Sequence, residues 1–142
     1  MEDAGHWEWI IYDIWLKNRS GKGRGGVMIM TRKGIRVERV DISKNKSEIV
    51  QVEVKNGKGK TMIYTGVYVP PLTNAWTRND HEMLLGDTLN ELERIIPQEK
   101  DVLIIGDFNC KDINWKDGTC QGGENSWSNR LMNWARENLM TQ

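Results

Sequence analysis

At 142 residues the chain suits a single domain, 1–142, able to bury roughly two thirds of its unfolded surface. With 28% charged and 38% hydrophobic residues it is globular in composition rather than disordered, and no apolar run approaches the roughly 20 residues of a membrane-crossing helix. The net charge is zero, which excludes a whole-molecule field that would draw in nucleic acid.

The charge is nevertheless uneven. From Lys17 to Arg39 there are eight Lys/Arg against one acid, Glu38. This block, with Lys22, Arg24 and Arg32 in it, suits either contact with nucleic-acid phosphates or the solvated face of a strand pair. The acidic start, Met1-Glu-Asp, lacks the apolar core of a signal peptide, so an intracellular protein is expected. Cys110 and Cys120 are then free thiols, and His6 and His81 do not combine with them in a zinc-binding spacing.

Trp7 to Leu16, rich in aromatic and branched residues, reads as a strand. Gly21 to Gly26 has the letters G-x-G-x-x-G but leads into a second strand, Val27 to Met30, so a hairpin turn explains the glycines and no dinucleotide or other small-molecule cofactor is expected. Ile35 to Ile42 is a weaker strand whose alternation slips, which predicts a bulge or an edge position. Ser43 to Ser47 is a loop. Val50, Val52 and Val54 alternate with Gln51, Glu53 and Lys55, the pattern of a strand with one dry and one wet face.

Asn56 to Lys60 is a second hairpin turn. Thr61 to Val69 is the longest strand, ended by Pro70-Pro71, neither of which donates to a ladder. Alternation puts Val67 and Val69 opposite Tyr68. Asn79 to Ile96 is a helix capped by Asn79, with Leu85, Leu89, Leu92 and Ile96 as its apolar stripe and Pro97 as its stop. Val102 to Ile105 suits a strand buried on both faces. Strand, helix and strand from Thr61 to Asn109 then form a parallel unit, with Tyr68, Asp107 and Asn109 at the edge where open α/β sheets bind ligands.

Extended geometry continued to Asn109 would put Asp107 and Asn109 on one face and anchor Phe108 in the core. Gly106 would let a ligand or another backbone come close. The competing reading is a turn, for which Gly, Asp and Asn are ordinary residues. Beyond lie a polar loop, Cys110 to Glu124, and a last helix near Ser126 to Leu139 with Trp127, Leu131, Trp134 and Ala135 inward. The seven tryptophans read as packing residues.

Gly106-Asp-Phe-Asn109 resembles the signature of the endonuclease/exonuclease/phosphatase superfamily. Gly25-Gly-Val-Met-Ile29, Gly66-Val-Tyr-Val-Pro-Pro71, Asp112, Trp115 and Asn138-Leu-Met-Thr-Gln142 follow the order and spacing of the endonuclease domain of non-LTR retrotransposon polyproteins, which also carry a reverse transcriptase. The resemblance runs from about Tyr12 to the end. It implies an α/β (α+β) fold, part of a two-sheet sandwich of the DNase I-like type, with β-hairpins on the N-terminal side and a strand-helix-strand unit plus terminal helix on the C-terminal side. It further implies a DNA-nicking enzyme dependent on Mg²⁺ or Mn²⁺, nuclear if part of a retrotransposon protein. Asp107 would hold the metal and orient or deprotonate water, Asn109 would hold a phosphate oxygen, and Tyr68 would contact the scissile phosphate.

The pattern also departs from the family. A first strand with Asn and a second with the metal-binding Glu are expected before Tyr12, and Glu2 and Glu8 stand too close to the next strand to replace them. The Ser-Asp-His segment expected after the Asp-Phe-Asn strand is missing, Asn79-Asp80-His81 reads as a helix cap, and Val69 occupies a position that is Arg in many members. A fragment truncated at both ends, weak or inactive as an endonuclease, is therefore expected. The alternatives are a non-catalytic remnant that binds metal or nucleic acid, and a phosphatase of the same superfamily.

Overall fold

The computed structural model describes residues 11–21, 25–96 and 100–142. These form a mixed α+β structure with several sheets and, among the described residues, two helices. In chain order the elements are β1 (Tyr12–Asn18), β2 (Gly26–Arg32), β3 (Arg36–Ile42), β4 (Glu48–Lys55), β5 (Thr61–Tyr68), α1 (Arg78–Ile95), β6 (Asp101–Asp107), β7 (Ile113–Asn114), β8 (Thr119–Cys120) and α2 (Trp127–Glu137). The part of the first strand expected at residues 7–10, the turn residues Lys22 to Arg24 and the stop at Pro97 lie outside the described residues.

A four-stranded sheet in the order β3-β4-β5-β6 is the centre of the molecule. β3, β4 and β5 are antiparallel neighbours, and β6 joins β5 in parallel after the α1 crossover, as the strand-helix-strand pattern requires. β3 combines both features expected of it, since it is an edge strand and its register with β4 shifts between Val37 and Arg39. The turn from β4 to β5 is closed by Asn56: its N–H donates to Lys60 O, and its Oδ1 accepts from Lys58 and Lys60 N–H.

Each face of the sheet has its own cover. Ile49, Val67 and Val69 pack with Leu84, Leu85, Leu92 and Ile95 of α1 and with Leu131, Trp134 and Ala135 of α2. On the opposite face lies the antiparallel pair β1-β2, and a Cβ built on Gly66 would meet Val27 Cγ2 at 3.1 Å and Ile29 Cγ1 at 3.4 Å. The molecule is thus hairpin, sheet and helices in three layers.

This double cover corrects two expectations. β4 does not have a wet face along its length: Glu48, Ile49, Val50, Gln51 and Val52 are all buried, because α1 covers the side expected to be solvated. Gln51 is satisfied there by donating from Nε2 to Thr65 Oγ1 (3.0 Å) and Ile95 O (3.3 Å). Conversely, β6 is not buried on both faces. Among the described residues it pairs with β5 alone, and Leu103 (41%) and Ile105 (58%) are exposed.

The helices also differ in detail. α1 is capped by Thr77, whose Oγ1 accepts from Asp80 N–H (3.1 Å), rather than by Asn79, so the helix starts earlier. Its buried stripe is His81, Leu84, Leu85, Thr88, Glu91, Leu92 and Ile95, with Leu89 and Ile96 only partly buried. α2 matches its expected face, is capped by Ser126, and keeps Trp127 at the core margin. The loop after Asn109 contains an unexpected small pair, β7-β8, and β5 shares its length with β4.

Candidate active site

The parallel register of β5 and β6 places Tyr68 directly beside Asp107, and the antiparallel register of β4 and β5 places Glu48 directly beside Tyr68. Opposite residues on neighbouring strands share a face, so Glu48, Tyr68 and Asp107 form one row across three strand ends, strands being about 4.8 Å apart. The row faces the hairpin layer. Arg19, just beyond β1, reaches over it, with its guanidinium 5.5 Å from the Tyr68 ring centroid and 5.9 Å from that of Trp76.

Glu48 is fully buried and bound to Arg19, with Nε to Oε1 at 2.5 Å and Nη2 to Oε2 at 3.5 Å. The hydrogen bond to Glu48 is the main reason that the Arg19 pKa lies above its usual value, with burial acting the other way. A buried carboxylate with this partner is structurally costly to disturb. Sequence reasoning missed both residues. Arg19 was visible only as one of the basic block, and Glu48 opens a strand whose valines took all the attention.

Asp107 is exposed at the end of β6, and the strand stops there. The side chain of Asp107 accepts from Asn109 N–H (3.0 Å), and Asn109 has a left-handed backbone, φ 47°. Extended geometry therefore does not continue to Asn109; the Asx turn does. Asn109 still returns to the rim, because its Nδ2 donates to Val69 O at 2.7 Å across the end of β5. Phe108 is anchored as expected, packing on the core with its carbonyl accepting from Trp127 Nε1 (2.7 Å). The close approach at Gly106 is that of a backbone: a Cβ there would lie 1.8 Å from Val67 O.

Of the described residues of the basic block, Arg19 reaches this rim, and Lys17, Arg32, Arg36 and Arg39 lie elsewhere. Arg32 lies at the far end of β2, about 20 Å of strand from Gly26 and so from the Arg19 end of the hairpin. Lys17 donates to the Ser43 and Asn45 carbonyls, Arg36 pairs with Glu38, and Arg39 pairs with Asp41. An antiparallel hairpin carries residues close in sequence to opposite ends, which splits the patch. Lys22 and Arg24 fall outside the described residues.

Among the described residues no three His, Cys, Asp or Glu side chains gather as a metal-binding group. A magnesium ion at Asp107 would rest on one carboxylate, with water completing its shell, at the lower end of what that ion uses. Asp112 and Trp115 line the same cleft as Asp107 and Asn109, while Asp117 is held within its loop, where Asn114 Nδ2 donates to Asp117 Oδ2 at 2.7 Å. Cys110 and Cys120 are free thiols, and burial raises the Cys110 pKa. His81 is a buried helix residue with Nε2 2.8 Å from Pro70 O, and it supports the Pro70-Pro71 bend beside the rim. Compared with protein-family models and with curated proteins, the chain matches none.

Proposed function

We propose that this chain is a metal-dependent phosphodiesterase of the DNase I-like two-sheet type, with DNA nicking as the activity of its kind. That activity is weak or absent here, because the metal-binding Glu and the Ser-Asp-His residues that the resemblance calls for are not found in it. The reading is carried by one observation, the registered pair of Tyr68 and Asp107 at adjacent strand ends, with Asn109 tied to the same rim through Val69 O. A phenol, an acid and an amide at one sheet edge suit a phosphate group. Phosphodiester hydrolysis builds negative charge on the phosphoryl oxygens, and fixed donors beside the phosphate lower its cost. A bound Mg²⁺ or Mn²⁺ supplies Lewis acidity and a more acidic water. In this reading Asp107 would hold the ion and orient or deprotonate water, Asn109 would hold a phosphate oxygen, and Tyr68 would contact the scissile phosphate.

A second reading, a non-catalytic binder of metal or nucleic acid, is favoured by how these groups are already engaged. Asp107 holds the Asn109 N–H, Asn109 holds the Val69 carbonyl, and Arg19 is matched by Glu48. Supercoiled-plasmid nicking with and without Mg²⁺, with Asp107→Ala alongside, separates the readings. Slow, Mg²⁺-dependent nicking lost in the variant supports the phosphodiesterase. DNA binding without nicking, together with Mn²⁺ broadening of the Asp107 and Asn109 amide signals, supports the binder. Phosphate release from small phosphomonoesters without nicking turns the reading to a phosphatase. If none of the three appears, the phosphate-site reading is wrong.

A further inference from the structure

We propose that Trp115 is a stacking platform for an unpaired nucleobase, so that the rim of Tyr68, Asp107 and Asn109 receives nucleic acid where a base is single-stranded or turned out of the helix. The inference rests on the phosphate-site reading of that rim and names the form of nucleic acid it takes. Trp115 lines the same cleft as Asp107 and Asn109. Tryptophan is highly buried on average. Trp76, Trp127 and Trp134 pack in or on the core, and of the described tryptophans Trp115 alone is exposed, at 40%. It therefore departs from the packing role expected of the tryptophans.

The indole is carried by a loop that is already ordered. Ile113 and Asn114 pair with Cys120 and Thr119, which leaves 115–118 as the tip of a small hairpin. Asn114 closes that tip, donating from Nδ2 to Asp117 Oδ2 (2.7 Å) and accepting at Oδ1 from Asp117 N–H (3.2 Å), and Arg136 Nη2 donates to Gly118 O. The base of the hairpin is tied as well: Cys110 O accepts from Ile113 N–H (3.2 Å), and Asp112 O accepts from Gln121 N–H (3.0 Å). A ligand docking on such a frame has little loop motion to freeze, which lowers the cost of binding.

The charges nearby select the ligand. Lys111, in the wall of the cleft, and Lys116, the residue after Trp115, are both exposed, and neither is in an ion pair among the described residues. Lys46, Lys60 and Lys100, by contrast, each hold a carboxylate. An open aromatic with unpaired cations beside it is how grooves for single strands are built, the ring taking a base and the cations the backbone. In an intact duplex the base faces are covered by their neighbours, so the indole gains a partner only where a nucleotide is unpaired or flipped out. Asp107 and Asp112 in the same cleft repel phosphates, which leaves the base contact a larger share of the affinity.

The test is binding of the full chain, in EDTA and low salt so that no turnover intervenes, to three probes of equal length: labelled oligothymidylate, a strand of abasic tetrahydrofuran nucleotides, and a fully paired duplex. Trp115→Ala and Trp115→Leu are expected to weaken oligothymidylate binding about tenfold or more and to leave the abasic strand and the duplex unchanged, while Trp115→Phe stays within about threefold of the parent chain. Retained binding of the abasic strand shows that the variants are folded. Lys111→Gln should weaken both single strands alike and reduce the salt slope by about 0.7. The proposal is overturned if the parent chain does not bind oligothymidylate, if the Ala and Leu variants bind it as tightly as the parent, or if they lose the abasic strand to the same extent. Plasmid nicking in Mg²⁺ tells this failure from that of the site: nicking that persists alongside any of these results overturns the stacking role alone, whereas absence of both nicking and binding overturns the phosphate-site reading with it.

Discussion

At Gly106 the space beside the β5 backbone is smaller than a methyl group: a Cβ would sit 1.8 Å from Val67 O and 2.8 Å from Val67 C. Neither atom can move without separating the two strand ends that carry Tyr68 and Asp107. Gly106→Ala is expected to cost about 1–3 kcal/mol in urea unfolding, as overpacked sites do. Gly86 in α1 is the control, since a Cβ there meets nothing within 4 Å. Gly86→Ala should be neutral or stabilising by up to about 1 kcal/mol. Equal effects of the two substitutions would mean that β5 and β6 are not packed this closely. The Arg19–Glu48 pair makes a second claim at this scale. Arg19→Met leaves a fully buried carboxylate without its main partner and should cost about 3–5 kcal/mol, whereas the double change to methionine at both positions should cost less than that single one. A double variant that is no more stable than Arg19→Met would show that the pair is not a unit.

The elements were largely legible because their signals are local. Gly34 and Asn56 to Lys60 mark turns, Val67 and Val69 alternate against Tyr68, and Ser126 precedes an inward face of Leu131, Trp134 and Ala135. The start of α1 was read wrongly, at Asn79, because an earlier pair shares the spacing used to place it. Asn79 with Glu82 and Thr77 with Asp80 both have cap spacing; the helix takes the earlier one, with Thr77 Oγ1 2.8 Å from Asp80 Oδ2 as well as accepting from its N–H. Thr77→Ala should therefore lose about 1 kcal/mol of stability, while Asn79→Ala, inside the first turn, should change it little. Thermal unfolding of the two variants decides the matter, and the reverse ranking would restore the Asn79 cap. The end of β6 was ambiguous in the same way. Gly106-Asp-Phe-Asn109 suits a strand carrying a site and a strand-ending turn equally. The fold ends the strand at Asp107 and turns Asn109 back to the rim.

At the scale of the whole molecule the layers were the least legible feature, because cover is decided by residues far away in sequence. Gln51 looks solvent-facing until Ile95 O, 44 positions later, accepts its amide, and Leu103 looks buried until the hairpin proves to cover β4 and β5 without screening β6. The same long reach joins β3 to α1. Arg94 donates to Asp41 Oδ1 at 2.8 Å and to Glu91 Oε1 at 2.6 Å, while Arg39 donates to Asp41 Oδ2 at 3.2 Å. The Arg94 hydrogen bond is the main cause that holds the Asp41 carboxyl below its usual pKa, against the opposing effect of burial. The folded state then binds fewer protons at Asp41 than the unfolded state near the ordinary aspartate value of about 3.9, so stability rises with pH across that range. The contribution is complete above about pH 4 and fades as the pH falls toward the lowered native value. Asp41→Asn should flatten the stability-pH curve on this acid side and, because Arg94 is half-exposed and screened, lower stability at pH 7 by about 1 kcal/mol or less. Urea unfolding between pH 2 and pH 7 in low salt measures both effects. Parallel curves for the variant and the parent chain would show that Asp41 and Arg94 touch without coupling β3 to α1.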